Sequence, residues 1–387
     1  MTNILVFGAG KSSSYLIKYL LDQSMKYFWQ VTVADTNMNA ALQRIGDHSF
    51  GTATQLDIHE EIIRKRLIAN ADLVISLLPP DLHFIVAVDC LELKRNLITA
   101  SYLSEQIKSL HVEARNAGLL FMNEIGLDPG IDHMSAMKII DEIERLGADI
   151  YSFKSYCGGL IAPESDTNPW HYKISWNPKN IVNAGKSGAD CLISGFEKHI
   201  SYPDLCKDIE VINIPGLGNL AAYANRDSLG YKSFYGLEKV KTMLRATFRY
   251  EDFCIGWYAI VQLQLTDDTK KYRLGDLTYK QWFMMATQPK TGITPAEKIL
   301  NIVQKRQTLA IELIQWLGLY DEKIIPLQGE ATSAEILQHV IEDKWKMEAE
   351  DKDMIVMHHE FEKKKKNIET KLSSTLLVKG EDKTYTA

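Results

Sequence analysis

Ile4-Leu5-Val6-Phe7-Gly8-Ala9-Gly10-Lys11-Ser12-Ser13 is the stretch that decides the fold. Four apolar residues form a short strand, and two glycines then allow a tight turn and a close backbone approach. A helix follows, with Tyr15, Leu16, Tyr19 and Leu20 predicted on one face. The helix start leaves free N–H groups to meet a pyrophosphate. Ser13 stands where the dinucleotide fingerprint carries its third glycine, and it is small enough for close helix–strand packing. Gly10-Lys11-Ser12 imitates the end of a nucleotide-triphosphate loop. That motif needs glycine five positions before Gly10, and Leu5 is there.

Outward from this stretch, strand and helix patterns alternate. Val31-Thr32-Val33-Ala34 ends at Asp35, which lies 22 residues beyond Ser13. This is the place of the acid that binds ribose hydroxyls. A carboxylate repels a 2′-phosphate, and Thr36 and Asn37 follow it rather than arginine, so NAD is expected over NADP, with NADP as the alternative. Further apolar runs lead to Asp57, to Leu78-Pro79, to Ser101-Tyr102 and to Asn123-Glu124. Such runs between helices predict a parallel, doubly wound sheet, whose ligands bind beyond the carboxyl ends of its strands.

The segment Asn123-Glu124-Ile125-Gly126-Leu127-Asp128-Pro129-Gly130-Ile131-Asp132-His133 closes this alternation and opens a helix predicted to run to about Leu146. A different pattern follows. Strand-like runs at Ile150–Tyr156, Val211–Ile214, Thr247–Tyr250 and Trp257–Leu265, set between Gly/Pro/Asn-rich turns, predict an α+β unit. Its arginine-bearing loops suit carboxylate recognition, because the guanidinium fork matches a carboxylate. Pro295 to about Lys346 reads as a helical insertion, with Leu309, Leu313, Trp316 and Leu317 on one face. The expected fold is therefore α/β: a Rossmann parallel-sheet domain plus an α+β mixed-sheet substrate domain with a helical insertion. The expected bounds are 1–125, 126–285, 286–350 and 351–387.

Composition narrows the function. With 387 residues, 45% of them hydrophobic, the chain exceeds one typical core. A net charge of −6 argues against a nucleic-acid partner. No apolar run reaches the roughly 20 residues of a membrane helix. The start lacks a basic leader, so no signal peptide is expected. Five scattered cysteines without a CxxC pair suggest reduced thiols in a cytoplasm. His358 and His359 are adjacent and read as solvated rather than metal-binding, and no metal is expected. Lys363–Lys366 reads as a solvated face.

Several motifs together resemble the saccharopine dehydrogenase/reductase family, in its L-glutamate-forming branch. They are VISLLP (74–79), TASYLS (99–104), NEIGLDPGIDH (123–133), SYCGGLIAP (155–163), YKISW (172–176), NRDS (225–228), LRATFRY (244–250) and DMIVM (353–357). The resemblance covers almost the whole chain. It implies reversible, NAD(P)-linked oxidation of saccharopine to L-glutamate and 2-aminoadipate 6-semialdehyde. It also implies that Ser101, Tyr102, Asn225, Arg226, Thr247 and Arg249 contact this amino-acid substrate, with Cys157 and Gly158 nearby. Gly8, Gly10, Lys11, Ser12, Ser13, Asp35, Thr36, Asp57, Ile58, Ser76, Leu77, Leu78, Asp128, Pro129, Ser175 and Trp176 would line the cofactor site. Asp128 and Tyr102 are the acid/base candidates, with Cys157 and Lys173 behind them. The family pattern continues beyond GEDKTYTA (380–387), so an uncovered apolar face is expected. Two other readings stay open: a related reductase acting on another amino-acid-derived imine, of the carboxyspermidine type, and a non-catalytic NAD-binding protein. A homodimer is also left open.

Overall fold

The computed structural model describes residues 1–175, 178–287, 295–302 and 307–381. The chain divides into two compact units, the first spanning Met1–Ser135 and the second starting at Ala136.

The first unit alternates strand and helix as the sequence predicts. Its elements are β1 (Thr2–Phe7), α1 (Ser14–Tyr27), β2 (Trp29–Asp35), α2 (Met38–Ile45), β3 (Gly51–Gln55), α3 (Glu61–Ala69), β4 (Leu73–Ser76), α4 (His83–Glu92), β5 (Asn96–Thr99), α5 (Glu105–Ser109), α6 (His111–Asn116) and β6 (Phe121–Met122). All strands pair in parallel, in the order β3-β2-β1-β4-β5-β6. Alternate residues of β1 serve opposite faces: Leu5 and Phe7 join one core cluster, Ile4 and Val6 the other. Burial on both faces explains the unbroken apolar strands. The strand order reverses at β1 and β4, the place where such sheets bind ligands. The buried face of α1 is Ile17, Leu20, Leu21 and Ser24, while Tyr15 and Tyr19 are 73% and 51% exposed. The predicted stripe is thus displaced around the helix. Ile17 and Leu21 complete a spacing of i, i+3, i+4 and i+7 that the tyrosines do not share.

α7 (Ile131–Arg145) carries the chain into the second unit. There a nine-stranded mixed sheet is built from β7 (Asp149–Ile161), β8 (Ala189–Ile193), β9 (Phe196–Ile200), β10 (Glu210–Ile214), β11 (Gly218–Ala224), β12 (Arg226–Asp227), β13 (Thr242–Arg249), β16 (Asp353–Lys365) and β17 (Ile368–Lys379). Its main path runs β10-β11-β13-β7-β16-β17. Helices α8 (Pro178–Asn183), α9 (Glu251–Gln262), α10 (Tyr279–Ala286), α11 (Pro295–Ile302), α12 (Gln307–Trp316) and α13 (Ser333–Lys344) accompany a small ribbon of β14 (Lys271–Arg273) and β15 (Glu330–Thr332). No helix among the described residues is long and apolar enough to cross a membrane.

Two expectations change here. Trp257–Leu265 is not a strand: its first six residues end α9, and the rest form a turn. Phe253, Cys254, Trp257, Ile260 and Val261 are all buried on this helix. A helix covered on nearly every side loses the polar stripe that separates it from a buried strand. The helical layer accordingly begins at α9, and one core cluster unites α9, α10, α12 and α13. His358 and His359 are not solvated either, being 4% and 2% exposed. Neighbours on a strand point to opposite faces, and here both faces are covered. Lys364–Lys366 do face solvent, next to a two-residue turn in which Lys366 and Asn367 both have positive φ. The predicted end of the chain at 382–387 lies outside the described residues.

Candidate active site

In the first unit, the predicted residues gather at the carboxyl ends of the parallel strands. Gly8 has φ of +105°, and a side chain there would sit 3.0 Å from the carbonyl oxygen of Leu77. Both facts require glycine at this crossing. The exposed Gly10 and the short helical turn Lys11–Ser13 lead into α1. Ser13 is buried, and its hydroxyl donates to the Gly10 carbonyl at 2.8 Å. Asp35 accepts from the N–H groups of Ala9 at 2.7 Å and Asn37 at 2.8 Å, so its carboxylate is fixed beside the glycine loop. Arg44, which the sequence reading did not single out, donates to the carbonyls of Ala9 at 3.3 Å and Gly10 at 3.1 Å. Thr36 and Asp57 are exposed, and Ile58 is buried. This loop fits a dinucleotide: backbone approach is open at Gly10, where an added Cβ would meet nothing within 4 Å.

A second hydrogen-bond system joins β4, α4 and the end of β5. Nδ1 of His83 lies 2.8 Å from the Ser76 hydroxyl, and Nε2 lies 2.8 Å from the Ser101 hydroxyl. A neutral imidazole donates through one nitrogen and accepts through the other, so it links the two serines. Burial pushes the His83 imidazole down to about 4, which keeps it neutral. Ser76 and Ser101 were predicted; His83 was not. Its only signal was a position just after Pro79-Pro80, at the start of a helix facing the strand ends.

Tyr102 donates from its hydroxyl to Asp128 Oδ1 at 2.7 Å. Asp128 precedes Pro129 through a cis peptide bond. The surrounding loop is tied by its own backbone: Gly126 N–H donates to Pro129 O at 2.8 Å and Ile131 N–H to Gly126 O at 3.0 Å. Gly130 has φ of +147°, and a Cβ there would sit 2.1 Å from the Gly126 carbonyl oxygen. Asp132 caps the turn by accepting from Gly130 N–H at 2.7 Å, and His133 pairs with Glu124 at 3.1 Å. His133 therefore has a structural partner, while Asp128 and Tyr102 are joined to each other by their own hydrogen bond.

In the second unit, three of the predicted substrate residues, Cys157, Thr247 and Arg249, share one face of the large sheet. Thr247 on β13 is in register with Cys157 on β7 and Tyr223 on β11, and Cys157 with Met357 on β16. One step along, Arg245 aligns with Ser155, and Ser155 with His359. Arg249 ends the same face of β13. Farther along this face Phe153, Met243 and Phe361 pack with Ala136, Ile140 and Ile143 of α7. The polar row thus lies between α7 and the helical layer. Gly158 is glycine because a Cβ would sit 2.6 Å from the Phe248 carbonyl oxygen.

Arg249 is 7% exposed, lies over the rings of Tyr172 and Phe253 at 5.2 and 5.5 Å, and donates to its neighbouring carbonyl Phe248 O at 2.7 Å. Its Nε has no hydrogen-bond partner among the described residues. Arg245 is 3% exposed and lies 4.7 Å over the Tyr231 ring. Asn225 donates from its N–H to Arg245 O at 2.9 Å, and the exposed Arg226 follows it with φ of 55°. Lys173 is buried and ion-paired with Asp351 at 2.6 Å, an arrangement that ties its loop to the segment before β16. Ser175 is buried, and Trp176 lies outside the described residues. No cluster of metal-binding side chains occurs among the described residues. Arg245 and His359 were missed as site residues, because only strand register places them beside Thr247 and Cys157.

The parallel sheet, its glycine crossing and the fixed acid at the end of β2 define a dinucleotide-binding class of protein. Comparison with known proteins narrows this. Residues 4–122 match the saccharopine dehydrogenase NADP binding domain, and residues 126–387 match the saccharopine dehydrogenase C-terminal domain. The chain belongs to the saccharopine dehydrogenase family. It is 31% identical over 386 residues to a saccharopine dehydrogenase (NADP(+), L-glutamate-forming) of Pyricularia oryzae, covering 96% of this chain and 83% of that protein. It is 33% identical over 367 residues to the mitochondrial alpha-aminoadipic semialdehyde synthase of Mus musculus, covering 92% of this chain but only 39% of that longer protein. Among solved structures it resembles the apo saccharopine dehydrogenase (L-Glu forming) of Saccharomyces cerevisiae, with a TM-score of 0.85 and 28% identity, covering 100% of this chain and 87% of the other.

Proposed function

We propose that the chain catalyses the pyridine-nucleotide-linked oxidation of saccharopine at its secondary amine, releasing L-glutamate and 2-aminoadipate 6-semialdehyde, or the reverse condensation. The observation that carries this reading is the 2.7 Å hydrogen bond from Tyr102 to Asp128 at the strand ends of the nucleotide-binding unit. Oxidation needs an unprotonated amine, and hydrolysis of the imine needs proton transfers at the carbinolamine. Asp128 takes the amine proton, with Tyr102 holding the carboxylate in position and serving as its proton partner. When bound, the nicotinamide supplies the hydride acceptor. Gly8 to Ser13 and Asp35 hold the nucleotide, and the Ser76–His83–Ser101 chain orients groups beside it without carrying charge.

Saccharopine bears three carboxylates. The arginines and the row Cys157, Thr247 and Asn225 in the second unit support their recognition. Substrate carboxylates would also satisfy the open Nε of Arg249. The preferred nucleotide is NAD, because Asp35 is fixed where a 2′-phosphate would meet its negative charge. The Pyricularia relative carries NADP(+) in its name, so nucleotide choice differs between the two on this reading.

Asp128→Asn tests the proton-transfer role. The expected outcome is a fall in kcat of on the order of 100-fold or more, with the dissociation constant for the nucleotide little changed. Turnover equal to that of the unmutated chain would remove Asp128 from the mechanism.

A further inference from the structure

The second unit brings two of its thiols into contact. Cys206 follows a short helical turn at Tyr202–Asp204. Gln262 Nε2 donates to the Pro203 carbonyl at 2.7 Å, and the Tyr202 hydroxyl lies 3.1 Å from that of Thr266. These bonds fix the turn against the carboxyl end of α9. On α9, Cys254, Tyr258 and Gln262 are spaced four residues apart and share one face. Cys206 packs against the core cluster that holds Cys254, Trp257 and Val261 of α9, and the Cys254 thiol hydrogen-bonds with it.

The two sulfurs differ in access. Cys254 is 1% exposed, whereas Cys206 is half-buried and lies on the wall of a small cleft with Tyr223, Trp257 and Tyr258. Hydrogen bonding to Cys206, and then burial, raise the Cys254 thiol well above its ordinary range. Cys254 thus keeps its proton and donates it toward Cys206. The Arg249 guanidinium is near enough to both sulfurs to interact with them. Cys206 is the more accessible of the two sulfurs, so it is the one that a small oxidant reaches first.

We propose that Cys206 and Cys254 form a redox-active pair that closes to an intrachain disulfide when the protein meets hydrogen peroxide. The Cys206 sulfur attacks one peroxide oxygen and the O–O bond breaks. Cys206 becomes a sulfenic acid, and the departing hydroxide leaves as water with the thiol proton. The Cys254 sulfur then attacks the sulfenic sulfur. The S–S bond forms, the S–O bond breaks, and the Cys254 proton leaves with the hydroxyl as a second water. Two electrons pass from the thiol pair to the peroxide. The disulfide fastens the 202–206 turn to α9 and removes both S–H groups from beside Arg249.

The full chain is treated with hydrogen peroxide, its remaining thiols are alkylated, and non-reducing digests are read by mass spectrometry. The expected product is a linked peptide pair joining Cys206 to Cys254, released by dithiothreitol and absent from Cys206→Ser. In Cys254→Ser, dimedone should trap a sulfenic acid on Cys206. Oxidation of Cys206 in the unmutated chain to sulfinic or sulfonic acid without a link to Cys254 would overturn the proposal. So would unreacted Cys206, or linkage through Cys90, Cys157 or Cys191 instead.

Discussion

His83 sits between two serine hydroxyls and is 2% exposed, and this setting decides its charge. Its ordinary value of 6.5 falls to about 4 in the folded chain, chiefly through burial. The unfolded chain therefore binds this proton first as pH falls. The stabilising contribution is complete above pH 6.5 and is lost by about 1.4 kcal/mol per pH unit as pH drops toward 4. His83→Gln should flatten the acid side of the stability profile between those limits in urea unfolding. Identical acid slopes for the two proteins would show that His83 is not the group responsible. Arg249 presents the opposite case, a permanent charge held in the core with no carboxylate partner among the described residues. Replacing a buried charge by an apolar side chain of similar volume is often neutral or stabilising. Arg249→Met should therefore keep or raise the melting temperature while weakening saccharopine binding by roughly 2–5 kcal/mol. A lower melting temperature with unchanged saturation by saccharopine would make the arginine structural.

At the level of elements, β7 and β13 show how closely two strands must approach to form the polar row. The Gly158 position has no room for a methyl group, since Phe248 O and Cβ would lie 2.6 and 2.7 Å away. Gly158→Ala should destabilise the second unit by about 1–3 kcal/mol, the usual range for overpacking. Thermal unfolding of the two proteins checks this, and equal midpoints would mean that the strands can separate freely. Local pattern was enough to place β1, β2, β4 and α7, where apolar runs and glycine turns agree. It was not enough for α9, whose buried residues surround the helix, nor for the face of α1, where Tyr15 and Tyr19 imitate core positions. His358 and His359 were misread because adjacency in sequence says nothing of what covers each face of a strand.

At the level of the molecule, the division into a nucleotide-binding unit and a mixed-sheet unit was legible from where the β/α alternation stops. Much of the candidate site was legible as well, because Gly8 to Ser13, Asp35, Ser101-Tyr102 and Asp128 sit at strand ends that sequence order reveals. The remainder depends on partners distant in sequence. His83 acquires its role from Ser76 and Ser101 together, and Arg245 and His359 reach the polar row only through the β13-β7-β16 register. The central claim is that these parts serve saccharopine oxidation with NAD. The most direct test is a single assay at alkaline pH: purified protein with saccharopine and either NAD or NADP, following reduced-nucleotide absorbance and L-glutamate release together. The account predicts one L-glutamate for each reduced nucleotide, with a higher kcat/KM for NAD than for NADP. Nucleotide binding without L-glutamate release from saccharopine would contradict it.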